Sequence, residues 1–171
     1  MRTQFALKRR LGLIGILATT CLLQSVEAPL AATATTTFSV SVTLAATCTI
    51  NSASALSFGN QGILATNVDQ TSTIQVTCTN TTPYNIGLDA GTGSGATVAA
   101  RLMTASGATV TYSLYQDSAH SNVWGNSIGT NTVAGTGNGT GQSYTVYGRV
   151  PPQTTPAPGT YSDTVTVTVT Y

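Results

Sequence analysis

The stretch Tyr161-Ser162-Asp163-Thr164-Val165-Thr166-Val167-Thr168-Val169-Thr170-Tyr171 decides the fold. Tyr161, Val165, Val167, Val169 and Tyr171 share one parity, and Ser162, Thr164, Thr166, Thr168 and Thr170 share the other. Successive side chains of a strand point to opposite faces, so this stretch predicts a strand with one apolar and one hydroxyl-bearing face. A strand that ends a chain with no successor can leave a sheet edge unpaired. A second stretch of the same kind lies near the other terminus. Phe38, Val40, Val42 and Leu44 alternate there with Ser39, Ser41 and Thr43. That segment is either the domain's own first strand or a strand offered to the open edge of another copy. The alternation alone leaves both readings open. The connector Ala45-Ala46-Thr47 spans only about 10 Å when extended, which makes a fold-back harder than donation to a neighbour.

Between these two segments the chain reads as short strands broken by turns. Cys48-Thr49-Ile50, Leu56-Ser57-Phe58, Thr71 to Thr79, Tyr84 to Leu88, Leu102 to Thr104, Val110 to Tyr115, Val123-Trp124 and Ser143 to Val150 are the extended pieces. Residues 59–70, 91–95 and 125–141 are rich in Gly and Asn and read as loops. Pro151, Pro152, Pro156 and Pro158 lack the donor N–H of a central strand. No stretch has a helical period. The fold class is therefore all-β, a sandwich of short strands.

Residues 1–34 read as a secretory leader. Arg2, Lys8, Arg9 and Arg10 form a basic start, and Leu11 to Val26 a mostly apolar run. Ala32-Thr33-Ala34 fits the small-x-small cleavage pattern, with a cut after Ala34 preferred. The apolar run is short for a membrane span and is interrupted by Thr19, Thr20 and Gln24. The remaining chain carries Arg101 and Arg149 against Asp69, Asp89, Asp117 and Asp163, a net charge of −2 where the full sequence has +1. Two cations cannot build a phosphate-binding stripe, so no nucleic-acid partner is expected. Cys48 and Cys78 survive leader removal, and an even pair in an oxidising compartment reads as one disulfide. Closing a loop of this length stabilises a fold by about 3.5–4 kcal/mol in chain-entropy terms.

The residues give no support to catalysis, a cofactor or a metal. His120 is the only histidine and sits in a polar loop, where it reads as surface. No Ser or Cys stands in a nucleophile motif, and the four aspartates are scattered. The Gly-rich loops lack the Lys-Ser or Lys-Thr of a phosphate cradle. Asp163 reads as a charge guarding an edge. Tyr112, Tyr115, Trp124, Tyr144 and Tyr147 either line a sugar-binding surface or pack as core and cross-strand pairs.

The order of these features resembles a known family. An alternating apolar segment precedes Cys48, the second cysteine ends Ile74-Gln75-Val76-Thr77-Cys78, and Val110-Thr111-Tyr112-Ser113-Leu114-Tyr115-Gln116-Asp117 lies mid-chain. The ending from Gly159 to Tyr171 is the most specific part. Together they are similar to the spore coat protein U domain, shared with pilin subunits of archaic, Csu-type chaperone–usher pili. The resemblance implies an incomplete immunoglobulin-like β-sandwich that lacks its final strand and is completed by a donor strand from another subunit. It implies a division into a leader at 1–34, a donor extension and connector at 35–46, and the pilin domain at 47–171. Phe38, Val40, Val42 and Leu44 would be the donor residues. Tyr161, Val165, Val167, Val169 and Tyr171 would form the acceptor edge. Identical or related subunits, a periplasmic chaperone and an outer-membrane usher are the implied partners. The product would be a surface fimbrium supporting adhesion and biofilm formation, with no stable membrane insertion. A secreted carbohydrate-binding sandwich and a spore or cell-coat protein are the competing readings.

Overall fold

The structure is a computed structural model that describes residues 30–171. The basic and apolar parts of the expected leader lie outside the described residues. The chain divides into two units, Met1–Ser41 and Val42–Tyr171. Within the first, residues 30–41 have no regular secondary structure and are exposed. The same holds for 42–46, so the stretch from Phe38 to Leu44 belongs to no strand of this structure.

The second unit holds eight strands: β1 (Cys48–Ala53), β2 (Val68–Cys78), β3 (Pro83–Leu88), β4 (Arg101–Ala105), β5 (Ala108–Tyr115), β6 (Val133–Thr136), β7 (Gly141–Val150) and β8 (Val167–Thr170). They form two sheets, one ordered β1-β2-β7-β5-β4 and one ordered β6-β3-β8. Every ladder is antiparallel. The longest pairs β2 with β7 from Val68↔Val150 to Thr77↔Gly141. Period-2 patterning explains the register, because a one-residue slip would turn Ile74, Val76 and Cys78 outward. β4 and β5 form a tight hairpin whose two turn residues, Ser106 and Gly107, both have positive φ (47° and 83°), as a primed turn requires.

The core lies between the sheets. Ile74, Val76 and Cys78 meet Tyr84, Ile86 and Leu88 across it, with Val110, Tyr112, Leu114, Val146 and Val150 beside them. Trp124 is 1% exposed and donates its indole N–H to the Ile86 carbonyl. Cys48 and Cys78 face each other in the β1–β2 register and form a disulfide.

Four expectations change. The expected loop 59–70 ends early, because Val68, Asp69 and Gln70 already pair with Val150, Arg149 and Gly148 in β2. Leu56-Ser57-Phe58 and Val123-Trp124 belong to no strand, although Tyr115 bridges Val123. The Gly-rich stretch 125–141 contains β6. Gly135 sits in that strand because a Cβ there would lie 2.5 Å from the Tyr144 hydroxyl and 2.6 Å from the Tyr84 ring. This glycine serves a close approach and not a turn. The assigned terminal strand covers only Val167–Thr170 of the expected 161–171, for a reason that the site makes plain.

Candidate functional site

The terminal segment changes partners along its length. Ser162 and Thr104 exchange N–H···O bonds (2.9 and 3.3 Å), so the segment begins beside β4, at the edge of the large sheet. Four residues on, Asp89 N–H donates to the Thr166 carbonyl (3.2 Å), and β8 then pairs with β3 from Leu88↔Val167 to Asn85↔Thr170. Ladder bonding alternates in an antiparallel pair. Since Thr166 bonds toward β3, so do Thr168 and Thr170, and Val167 and Val169 turn their N–H and C=O groups the other way. Among the described residues no strand is hydrogen-bonded on that side, because β8 is the edge of its sheet. The valines whose side chains face the core thus also present free backbone groups at the edge.

Asp163 pins the crossing between sheets. Its Oδ1 accepts from the Thr92 N–H (2.7 Å), the Thr92 hydroxyl (2.9 Å) and the Thr164 N–H (2.8 Å). Its Oδ2 accepts from the Tyr112 hydroxyl (2.8 Å). Partial burial opposes ionisation, but these donors outweigh it and hold the carboxyl below the usual carboxylate range. Asp89 acts alongside, accepting from Gly91 N–H and Thr166 N–H, both at 2.9 Å. Behind them Arg101 is fully buried. Its guanidinium donates to the carbonyls of Leu88, Asp89, Val98 and Trp124. Patterning gave no sign of this, because a lone arginine at the start of an edge strand looks solvated.

A cleft of about 1030 Å³ opens beside the edge. One rim is the terminal segment with Tyr161, Val165 and Val167. The other is residues 53–64, and the floor is core, including Ile74, Leu114, Val146 and Val150. The volume is at the top of the roughly 300–1,000 Å³ range of small-molecule pockets. Its floor is apolar, and Asp163 on its rim is already fully engaged. Such a cleft suits an extended apolar occupant better than a polar metabolite. Tyr161, Val165, Val167 and Val169 are half-buried, and Tyr171 is 59% exposed. Phe38, Val40, Val42 and Leu44 are between 82% and 86% exposed.

The remaining candidates part company. Tyr112 and Trp124 are buried, and the Tyr84 and Tyr144 hydroxyls bond to each other. Of the two readings of these aromatics, packing holds for Tyr112 and Trp124, and the five do not form one surface. His120 is not a surface residue either. Its side chain is 7% exposed and packs edge-on between Tyr115 and Tyr147, with Nε2 3.7 Å from an Asp69 oxygen. Among the described residues no group of three His, Cys, Asp or Glu side chains is placed to hold a metal. No helix among them is long and apolar enough to cross a membrane.

Residues 34–168 match the spore coat protein U domain. The chain belongs to that family. A chain of a solved complex shares its fold: the CsuC–CsuE chaperone–tip adhesion subunit pre-assembly complex from the archaic chaperone–usher Csu pili of Acinetobacter baumannii. The superposition has a TM-score of 0.56 at 23% identity and covers 75% of this chain and 41% of that one. This spore coat U chain thus spans about two-fifths of the length of the chain it matches. No curated protein matches the sequence. The immunoglobulin-like architecture fits the strand order. A constant-type sandwich pairs one further strand outside the position that β8 occupies.

Proposed function

We propose that this chain is a structural subunit of a surface filament of the chaperone–usher type, polymerised by donor-strand exchange. The observation that carries the reading is the terminal edge. Its free backbone groups and half-buried valines run beside an open apolar cleft, in a chain whose own N-terminal segment is alternating and exposed. Phe38, Val40, Val42 and Leu44 of one copy enter the cleft of the next, and their Ser and Thr neighbours stay outside. Burying four such side chains would contribute on the order of 1.5–3 kcal/mol each. Strand addition supplies main-chain bonds for affinity and alternate pockets for selectivity. Head-to-tail donation is a heterologous contact, so it builds an open filament.

In this reading residues 1–34 are removed on export, 35–46 are the donor extension and connector, and 47–171 are the acceptor domain. A periplasmic chaperone covers the cleft before assembly, and an outer-membrane usher exchanges it for the next subunit. The mature protein is then a fimbrial component at the cell surface, serving adhesion and biofilm formation.

The test replaces Val40 and Val42 by Asp. Each carboxylate would enter an apolar cleft without a partner, so the double variant should fold yet fail to polymerise, as read by electron microscopy and by sedimentation. Polymers as long as those of the unaltered protein would refute the donor role.

A further inference from the structure

The cleft's second rim is built differently from its first. Ser54 is the last residue on that side tied to the large sheet. Its N–H donates to the Thr73 carbonyl, and its own carbonyl accepts from the Ser72 hydroxyl. The next tie is Leu64, whose N–H donates to the Thr155 hydroxyl and whose carbonyl accepts from the Gln153 N–H. From Ala55 to Ile63 no backbone group bonds to a strand. The segment is a strap whose backbone is hydrogen-bonded to the rest of the fold only at its ends.

The strap nevertheless alternates. Leu56 and Phe58 are half-buried against the core and Ser57 is exposed. Phe58 packs edge-on against Tyr112 at 6.2 Å between ring centres. Both side chains lie over Gly148 of β7. A Cβ there would come within 2.7 Å of a Leu56 methyl and 3.1 Å of the Phe58 ring tip. The glycine therefore sets how deeply the strap seats, and it has an ordinary strand backbone. Ile63 is 86% exposed on the same rim.

We infer that the strap 55–63 is the movable wall of the cleft, and that Leu56 and Phe58 are the side chains that grip the inserted strand from the side opposite the terminal edge. This rests on the donor reading and adds to it. The terminal edge supplies hydrogen bonds to the incoming backbone. The strap's backbone from Ala55 to Ile63 is also bonded to no strand, and what the strap adds to the edge is the apolar contact of Leu56 and Phe58. The occupant is the 38–44 segment of a second copy, uncharged and alternating like the strap itself. The strap shifts to admit it and closes on its apolar face, so selectivity among donor sequences lies with Leu56 and Phe58 while the edge accepts any extended backbone.

The experiment uses the exported chain with Val40→Asp and Val42→Asp, so that its own extension is silent. The probe is a fluorescent synthetic peptide of residues 35–47. Phe58→Ala should weaken peptide binding about tenfold or more, the usual effect of truncating a central aromatic anchor. Gly148→Ala should weaken it in the same direction by pushing the strap into the cleft, and Ser57→Ala should leave it unchanged. Amide-exchange protection of the β2–β7 ladder should be the same in all four proteins, which separates a grip on the peptide from a loss of fold. Equal binding by the Phe58→Ala and Gly148→Ala variants, beside good binding by their parent, would overturn the strap's role and leave donor exchange standing. No binding by the parent would overturn both.

Discussion

Asp163 shows how one side chain can set an edge. Read along the strand pattern it is a charge on an otherwise apolar parity. In the fold it collects four hydrogen bonds at the point where the chain leaves β4 for β3. Its folded pKa lies below the ordinary value of 3.8. A depressed carboxylate stabilises the fold above its unfolded pKa, and that contribution disappears as the pH falls through the folded value. Asp163→Asn should therefore lower stability at neutral pH by about 1–2 kcal/mol, the range for hydrogen bonds to a charge after allowing for solvent screening of a partly buried group. It should also flatten the loss of stability below about pH 4. Denaturant titrations at pH 3 and pH 7 measure both effects. The exposed Asp69–Arg149 pair is bidentate at 2.7 Å and still contributes no more than about 1 kcal/mol.

At the scale of elements, the root of the N-terminal extension is held with care. Thr47 N–H donates to the Thr79 hydroxyl (3.1 Å), and Thr79 N–H donates to the Thr47 carbonyl (2.9 Å). The disulfide follows at once. Cys48→Ser should cost about 3–4 kcal/mol of subunit stability through the reopened loop, read as a fall in yield after export and a lower denaturation midpoint. Equal yield and an unchanged midpoint would show the bridge to be dispensable. The second half of β2, and β5 and β7, were legible because burial on one face dictates a period-2 alternation; the polar start of β2, Val68 to Gln70, carries none and read as loop. The cysteine pair was legible from count and compartment. β6 was hidden because its one glycine, Gly135, answers to the Tyr84 ring and the Tyr144 hydroxyl, which only the fold brings to it. The split of the terminal segment between two sheets was hidden for the same kind of reason. The side-chain pattern of 161–171 stays regular while the backbone partners change, and sequence records only the pattern. Arg101 was missed because its four carbonyl acceptors come from three separate stretches of chain.

At the scale of the whole molecule, the unit Val42–Tyr171 is a sandwich whose core is closed on one side and open on the other. Beside β3 and the disulfide, Val76, Tyr84 and Ile86 are almost fully buried. Along the terminal segment the valines are only half-covered, and their backbone groups lack partners. An exposed edge of this kind is an aggregation hazard unless it is covered or has a dedicated partner. The most direct measurement is amide hydrogen exchange, residue by residue, on the protein as a monomer silenced by Val40→Asp and Val42→Asp and on the assembled polymer. The amides of Val167 and Val169 should exchange quickly in the silenced monomer. In the polymer they should become protected together with alternate amides of residues 38–44. Protection of Val167 and Val169 already present in the silenced monomer, or exchange that stays fast in the polymer, would contradict the account.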